Sequence, residues 1–254
     1  MNIQGQAALV TGGASGLGEA TARELARMGA KVAVLDVNLA QAEKVAADIG
    51  GVACQCDITN TESLQAALAK AAGQHGPARI LMNIAGIGTA KRIVQKDGSA
   101  APLEEFARVV NINLVGTYNA SRLFAAECAK LAPLEDGERG VMLFTASVAA
   151  FDGQVGQQAY SASKGGLVGM TLPMARDLAQ HGIRVCTIAP GLFATPLMKQ
   201  LPEAVQESLA KSIPFPPRLG KPEEFAQLAC HIVTNTHLNG EVIRLDGALR
   251  MAPR

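Results

Sequence analysis

The sequence predicts a single-domain, doubly wound α/β fold in which helices flank a seven-stranded parallel sheet over residues 1–254. Short apolar runs alternate along the chain with stretches of helical spacing. Strands that are separated by single helices pair in parallel, with helices on both faces of the sheet. The 254 residues are 48% hydrophobic and no linker or repeat interrupts them, so we predict one large domain.

Short, bounded apolar runs in the first half of the chain predict buried strands. Stretches of helical spacing separate these runs, and Gly29 ends the first helix. The alternation is what a parallel sheet requires. The predicted strands are residues 7–11, 32–36, 52–56 and 80–83, and the predicted helices are residues 17–28, 39–49 and 61–74.

The second half of the chain keeps this alternation but has longer helices. One helix is predicted over residues 103–131, and another contains Tyr160 and ends near Gly182. A third helix starts around Pro222. The predicted strands here are residues 141–145, 184–189 and 242–245.

Glycines at the exit of the first predicted strand indicate a nucleotide site. Gly12, Gly16 and Gly18 allow a tight turn and a close approach to a pyrophosphate, whose charge the following helix N-terminus favours. Asp36 ends the second strand, where an acidic residue binds the adenosine ribose hydroxyls and repels a 2′-phosphate. We therefore predict NAD(H) as the cofactor. The alternative is that Asp36 only caps the next helix.

Tyr160 and Lys164 form the predicted acid–base pair. They are four residues apart, so on a helix both side chains leave one face. A phenol titrates at about pH 10 in water, and a neighbouring ammonium favours the phenolate, so we expect Lys164 to lower the pKa of Tyr160. Ser147 would hold a carbonyl oxygen during the proton exchange. Alone, such a pair is more often a half-exposed phenol beside a solvated amine, and the nucleotide signature favours catalysis.

Composition and charge exclude several classes of function. The 23 basic and 22 acidic residues are spread along the chain with a net charge of +1, which predicts binding to neither nucleic acid nor an anionic membrane. No apolar run approaches the roughly 20 residues that cross a bilayer, and the N-terminus lacks a signal-peptide pattern, so we expect a cytoplasmic protein. The five cysteines and four histidines lack metal-ligand spacing, and we predict no metal site.

These motifs together resemble the short-chain dehydrogenase/reductase family along essentially the whole chain. One motif would be weak, but their order and spacing make an accidental match very improbable. Ile84 departs from the pattern, since the family usually has a second asparagine there, but a backbone contact to the cofactor is unaffected. The matching pieces are TGGASGLG at 11–18, Asp36, Asp57 with Ile58, NIAG at 83–86, NINLVG with Asn113, Ser147, Tyr160 with Lys164, PG at 190–191 with Thr195, and NGEVIRLDG at 239–247.

The resemblance implies a Rossmann fold and a role for each matching residue. The implied catalytic set is Asn113, Ser147, Tyr160 and Lys164, with Asn113 interrupting its helix and holding a water that links Lys164 to solvent. Lys164 would also bind the nicotinamide ribose beside Tyr160. The implied cofactor contacts are Gly12, Ser15, Gly16, Leu17 and Gly18 at the pyrophosphate, Asp57 and Ile58 at adenine, Ile84, Ala85 and Gly86 at the adenosine ribose, and Phe193 and Thr195 at the carboxamide.

Within the family, the chain is most similar to a subgroup that acts on 3-hydroxyacyl-CoA esters. The insertion at residues 91–106 resembles that subgroup's insertion, and Gln154 resembles its substrate-contacting glutamine, beside Ser147 and Tyr160. The resemblance implies an NAD-dependent enzyme that interconverts a 3-hydroxyacyl-CoA and its 3-oxoacyl-CoA. The alternatives are a dehydrogenase of steroids or other bulky secondary alcohols, and a nucleotide-binding scaffold for a partner protein. The resemblance also implies a homotetramer.

Residues 192–217 are rich in Leu, Met, Phe and Pro and are expected to cover the substrate. Their apolar side chains suit either an acyl chain or packing against the domain. The acyl-chain candidates are Leu192, Leu197, Met198 and Leu201. The candidates to meet coenzyme A phosphates, each also compatible with a solvated surface charge, are Lys91, Arg92, Lys96, Lys199 and Arg218.

Overall fold

Seven short apolar runs form one parallel sheet in the computed structural model of the chain. Helices cover both faces of the sheet, which is why most of its strands are apolar throughout rather than alternately polar. The structure describes residues 1–253; Arg254, which ends the predicted domain, and the side chain of Leu197 lie outside the described residues. The strands are β1 Ala7–Thr11, β2 Lys31–Asp36, β3 Val52–Gln55, β4 Ile80–Asn83, β5 Gly140–Thr145, β6 Ile183–Pro190 and β7 Val242–Leu245.

The helices agree with the predicted ones except in the middle of the chain and in the segment expected to cover the substrate. The helix that contains Tyr160 ends at Leu178, and a 3-10 turn continues it to His181. Two short helices lie within residues 192–217. The helices are α1 Gly16–Arg27, α2 Leu39–Ile49, α3 Thr61–His75, α4 Leu103–Val110, α5 Thr117–Cys128, α6 Gln158–Leu178, α7 Pro196–Lys199, α8 Glu203–Lys211 and α9 Pro222–Thr234.

The predicted single helix over residues 103–131 is wrong in its details. A π-helical segment, Asn111–Gly116, separates α4 from α5, which ends at Cys128. A π-helix widens the turn by one residue, and such segments often occur at functional sites. The interruption expected at Asn113 therefore takes the form of a wider turn rather than a break.

The sheet order places the site. The order is β3-β2-β1-β4-β5-β6-β7. Successive strands are added on one side of β1 up to β3, and from β4 onward they are added on its other side, so the strand order reverses between β1 and β4. Ligands of doubly wound sheets bind outside the carboxyl ends of the strands at such a reversal. Alternate side chains of β1 enter the two cores: Val10 packs on the α1, α2 and α9 side, and Leu9 on the α3, α5 and α6 side.

The turn after β1 has room for glycine only. Gly12 has a φ of +65°, and a Cβ there would lie 2.7 Å from the Ala85 Cα. A Cβ on Gly18 would lie 2.0 Å from the Gly12 carbonyl oxygen. These approaches bring the start of α1 and the loop after β4 close together, as a nucleotide-binding turn needs.

Two features are absent from residues 1–253. None of the described helices has both the length and the apolarity needed to cross a membrane. The described His, Cys, Asp and Glu side chains form no group of three or more that could hold a metal ion.

Candidate active site

Two adjoining cavities open beside the glycine turn at the carboxyl ends of the strands. The first has a volume of about 480 Å³ and extends toward the ends of β2 and β3. The second has a volume of about 330 Å³ and extends toward the ends of β5 and β6. They share Ser15, Ile84, Gly86 and Ile87 as lining residues, so they form one continuous cleft.

The structure brings most of the predicted site residues to this cleft. Gly18 is buried behind the turn, and Asn113 and Gln154 are not among the described lining residues. The predicted residues that line the first cavity are Gly12, Ser15, Asp36, Asp57, Ile58, Ile84, Ala85 and Gly86. Those that line the second are Ser15, Gly16, Leu17, Ile84, Gly86, Ser147, Tyr160, Lys164, Phe193 and Thr195.

Asp36 braces the glycine turn from the end of β2. Its Oδ2 accepts a hydrogen bond from the Ala14 backbone N–H at 3.1 Å, and its Oδ1 accepts one from Asn38 N–H at 3.0 Å. The helix cap of α2 is Asn38, whose side chain accepts from Gln41 N–H. The alternative that Asp36 caps this helix is therefore wrong, and its carboxylate lies on the wall of the first cavity.

Thr11 positions the loop after β4 that forms the floor of the cleft. Its hydroxyl oxygen accepts hydrogen bonds from Ile84 N–H at 3.1 Å and Ala85 N–H at 3.3 Å. Ile84 can therefore replace the family's usual asparagine without loss of this contact, because the backbone makes it. The loop carries Gly86 close to the side chains of Asn113 and Lys164, two of the predicted catalytic residues.

Ser147, Tyr160 and Lys164 meet in the second cavity. Ser147 follows β5 and caps a 3-10 turn, Val148–Ala150, by accepting from Ala149 N–H at 3.1 Å. Tyr160 is half-buried in the first turn of α6. Lys164 is only 4% exposed; its Nζ donates to the Thr145 carbonyl at 2.6 Å and lies 5.7 Å from the centre of the Tyr160 ring.

The expectation that Lys164 lowers the pKa of Tyr160 is wrong for the unliganded chain. Burial raises the pKa of the Tyr160 phenol, and a hydrogen bond with Ser147 opposes this only in part. Burial also lowers the pKa of Lys164 to about 8. For Tyr160, desolvation of the phenolate therefore outweighs any attraction from the neighbouring ammonium.

Asn113 lies on the π-helical segment and orders the wall behind Lys164. Its Oδ1 accepts from Ile87 N–H at 2.8 Å, and its Nδ2 donates to the Ile87 carbonyl at 2.9 Å and to Ser163 Oγ at 3.0 Å. A Cβ on Gly86 would lie 3.1 Å from Asn113 Oδ1 and 3.4 Å from Lys164 Nζ. Asn113 and Lys164 are therefore neighbours across Gly86.

Other predicted contacts fall partly outside the cleft. The Gln154 amide donates to the Ala252 carbonyl at 2.9 Å. Leu192 and Met198 line the second cavity, whereas Leu201 is 39% exposed and the side chain of Leu197 lies outside the described residues. Lys91 pairs with Glu105, and Arg218 pairs with Glu224 at 2.6 Å; the exposed candidates are Arg92, Lys96 and Lys199.

Several lining residues were missed by the sequence analysis. Arg108 and Ile112 reach the first cavity from the α4 helix and the π-helical segment, which the sequence gives no reason to place there. Val37 and Thr59 follow β2 and β3, so the rule that ligands bind at the carboxyl ends of strands could have found them. Thr145 lines the second cavity, and its hydroxyl is buried without a hydrogen-bond partner.

Comparisons with known proteins agree with this geometry. The family model described as short chain dehydrogenase matches residues 6–206. The chain is 52% identical to the 3-hydroxyacyl-CoA dehydrogenase type-2 of Homo sapiens over 255 aligned positions, which cover 99% of this chain and 98% of the relative.

Two solved structures resemble the chain over nearly all of its length. The crystal structure of 3-hydroxyacyl-CoA dehydrogenase type-2 from Mycobacterium avium superposes with a TM-score of 0.95 at 45% identity, covering 98% of both chains. The 3-ketoacyl-(acyl-carrier-protein) reductase from Brucella melitensis, complexed with NADH, superposes with a TM-score of 0.86 at 30% identity, covering 98% of this chain and 100% of the other.

Replacing Lys164 by Met tests the buried ammonium. The folded-state pKa of Lys164, about 8, lies below the ordinary value of 10.5, so between these values the folded state binds fewer protons than the unfolded state. The wild type therefore gains stability relative to Lys164→Met as pH rises through this window, and the gain is absent below it. We expect a relative gain in unfolding free energy of about 2 kcal/mol from pH ~7 to ~10, measured by urea unfolding.

The exposed Lys70 gives the matched control for this measurement. Lys70→Met should give a stability difference that does not change with pH over the same range. Parallel pH curves for the wild type and Lys164→Met would show that Lys164 keeps an ordinary pKa in the folded chain.

Proposed function

The chain belongs to the short-chain dehydrogenase family, and we propose that it uses NAD(H) to interconvert a 3-hydroxyacyl-CoA and its 3-oxoacyl-CoA. The observation that carries the proposal is that Ser147, Tyr160 and Lys164 line one cavity of about 330 Å³ beside the glycine turn. The names of the relatives that match almost end to end support the acyl-CoA substrate.

The residues of the first cavity fit NAD. Ser15 is the N-cap of α1, yet its side chain makes no capping hydrogen bond, so its hydroxyl and the first-turn N–H groups are available to a pyrophosphate. Asp36 offers a carboxylate to the ribose diol, and its charge disfavours a 2′-phosphate. The pyrophosphate would be held by residues 12–18, the adenine by Asp57 and Ile58, and the adenosine ribose by residues 84–86.

The second cavity fits the reacting end of the cofactor and the substrate. A bound NAD supplies the hydride acceptor for oxidation, and NADH the donor for reduction. During oxidation, the Tyr160 phenolate takes the hydroxyl proton while the Ser147 hydroxyl donates a hydrogen bond to the substrate oxygen. Lys164 would bind the nicotinamide ribose, and Phe193 with Thr195 would hold the carboxamide. Asn113 holds the water that links Lys164 to solvent.

Tyr160 needs added positive charge before it can act as a base near neutral pH. Burial raises its pKa, and burial also lowers the pKa of Lys164 to about 8. A nearby positive charge lowers the pKa of an acid, and the oxidised nicotinamide ring of a bound NAD would supply such a charge. Oxidation therefore depends on cofactor binding before proton transfer.

Residues 192–217 would cover the acyl chain. Leu192 and Met198 line the cavity with Phe193, whose ring packs edge-on against Phe225 at 6.4 Å. Arg92, Lys96 and Lys199 are exposed and available to coenzyme A phosphates, whereas Lys91 and Arg218 are held in ion pairs within the chain. Gln154 would contact the substrate only after leaving the Ala252 carbonyl.

A homotetramer is the proposed assembly. A Cβ on Gly165 or Gly169 of α6 would meet nothing within 4 Å, so another helix can approach there, whereas a Cβ on Gly166 would lie 2.7 Å from the Leu114 side chain. Tyr118 and Leu172 expose apolar surface on α5 and α6, which a second copy would bury. The cytoplasmic location stays a prediction of the sequence.

Tyr160→Phe tests the acid–base assignment. Removing the hydroxyl leaves the ring in place, so NADH affinity should stay within about twofold while kcat falls about a hundred- to ten-thousandfold. The rate is measured as NADH oxidation with acetoacetyl-CoA, and affinity by NADH fluorescence. Tyr118→Phe is the matched control, because it removes the hydroxyl of the chain's other tyrosine and keeps the ring. Wild-type turnover in Tyr160→Phe would refute the assignment.

The same assay decides between the substrate classes. Catalytic efficiency is compared for acetoacetyl-CoA, a branched 3-hydroxyacyl-CoA and a hydroxysteroid. We expect the acyl-CoA esters to be preferred, and a preference for the steroid would favour the alternative dehydrogenase. Activity with none of these, together with a stable heteromeric partner, would favour a scaffold.

Asp36 variants test cofactor choice. Asp36→Ala should weaken NADH binding about tenfold or more through the loss of hydrogen bonds to a charged group, and adding Val37→Arg should create NADPH binding. Val37 is 66% exposed and lines the first cavity next to Asp36, so an arginine there would add a positive charge to this wall of the cavity. Asp36→Asn removes the charge but keeps an acceptor for Ala14 N–H, so it is the control for disruption of the glycine turn. Equal wild-type affinity for NADPH and NADH would contradict the assignment.

A further inference from the structure

The C-terminal segment folds back over the loop that joins two catalytic residues. Residues 151–157 connect the 3-10 turn after Ser147 to the helix that carries Tyr160. Beyond β7, residues 246–253 return to this loop and contact it at two points: the Gln154 amide donates to the Ala252 carbonyl at 2.9 Å, and Val155 N–H donates to the Pro253 carbonyl at 3.0 Å. We call residues 244–253 the C-terminal clasp.

Arg244 in β7 is the centre of the clasp. It donates from both guanidinium NH2 groups to the Asp152 carboxylate, at 2.5 and 3.3 Å, and from Nε to Asp246 Oδ2 at 2.7 Å. It also donates to the Leu249 carbonyl at 2.9 Å and lies over the Phe151 ring, 5.2 Å from its centre. Its side chain is only 20% exposed, and a two-point pair to a carboxylate fixes orientation better than an ordinary surface ion pair.

The return of the clasp requires an unusual backbone. Gly247 has a φ of +61° and Ala248 a φ of +67°. The left-handed conformation is unfavourable for a non-glycine residue, and such strain points to a function when the surroundings enforce it. Asp246 enforces it here, because its Oδ1 accepts from Ala248 N–H at 3.0 Å while its Oδ2 is held by Arg244.

The loop under the clasp presses against the start of the Tyr160 helix. A Cβ on Gly153 would lie 2.4 Å from Ser161 Oγ, so the loop and the residue after Tyr160 are in close contact. Ser161 N–H also donates to the Gln157 carbonyl at 2.7 Å. A shift of the loop therefore displaces the first turn of α6 relative to Ser147.

We propose that Arg244 is a positioning residue that acts through Asp152 to hold loop 151–157 and thereby set the separation of the Ser147 hydroxyl and the Tyr160 phenol. The inference deepens the proposed function and rests on it, since the separation matters because both groups act on one substrate oxygen. Arg244 and Asp152 are not among the described residues that line the cofactor cleft. Removing the contact between Arg244 and Asp152 should therefore slow the chemical step and leave cofactor binding unchanged.

Arg244→Met and Arg244→Lys are compared with Arg23→Met. Arg23 likewise joins two carboxylates, Glu19 and Asp48, but far along the chain from the loop. We expect Arg244→Met to lower kcat about ten- to a hundredfold through misplacement of the reacting groups, with NADH affinity within about twofold. Arg244→Lys should recover part of the rate, because lysine keeps the charge but not the fork. Arg23→Met should keep the wild-type kcat.

The double variant with Asp152→Asn shows whether Arg244 acts through Asp152. We expect Asp152→Asn to slow Arg244→Met little further, because both changes cut one contact. Wild-type kcat in a thermally destabilised Arg244→Met would overturn the proposal, since the clasp would then be merely structural. A parallel loss of NADH affinity, or of the wild-type oligomeric state on size exclusion, would overturn it as well.

A readout without substrate separates this inference from the proposed function. The chain has two tyrosines and no tryptophan, so in a Tyr118→Phe background the near-ultraviolet absorbance of phenolate reports Tyr160 alone. Ser147 lowers the pKa of Tyr160 through a hydrogen bond, so cutting the clasp should raise it. An unchanged titration would overturn the inference even if acyl-CoA turnover is found, and a raised pKa would support it even if acyl-CoA is not the substrate.

Discussion

The burial of Lys164 is the constraint on which the rest of the site depends. Its ammonium is almost completely removed from water and keeps one described hydrogen bond, to the Thr145 carbonyl at 2.6 Å. Removing a charge from water is unfavourable, which is why burial lowers the pKa of this amine to about 8. The same apolar surroundings raise the pKa of Tyr160. Burial thus works against the charged form of both side chains, and the positive charge of an oxidised nicotinamide ring beside them would favour the phenolate.

The fold makes this arrangement possible by bringing distant segments to one edge of the sheet. The reversal of the strand order between β1 and β4 leaves a crevice at the edge of the sheet. The glycine turn narrows this crevice from one side, and the loop held by Thr11 forms its floor. Ser147 leaves the end of β5, and α6 carries Tyr160 and Lys164 across from it. The π-helical segment then places Asn113 behind Lys164. Tyr160 and Lys164 lie on a regular helix, and Ser147 caps the 3-10 turn that follows β5, so the position of each predicted catalytic group is well defined.

Much of this was predictable because it depends on local patterns. A strand buried on both faces is mostly apolar, so the runs that became β1 and β4 were predicted with their bounds, and the short run of the half-buried edge strand β7 was predicted with its bounds as well. The roles of Asp36 and the glycines were predicted from the strand-turn-helix pattern, because a pyrophosphate needs a close backbone approach and a ribose diol needs an acidic side chain. The π-helix was missed because a single-residue shift in hydrogen bonding leaves no periodic trace. The expected direction of the Tyr160 pKa shift was wrong because burial depends on the tertiary structure. The contact between Arg244 and Asp152 could not be predicted because it joins residues that are 92 positions apart in the sequence.

The acidity of Tyr160 with and without cofactor is the most direct test of the account. The phenolate absorbance of Tyr118→Phe is titrated alone and at saturating NAD, over the pH range in which circular dichroism shows an intact fold. The account predicts that Tyr160 titrates above the ordinary value of about pH 10 in the free protein and at least about one unit lower with NAD bound. An identical titration in the two states, in an enzyme that still oxidises its substrate near neutral pH, would contradict it.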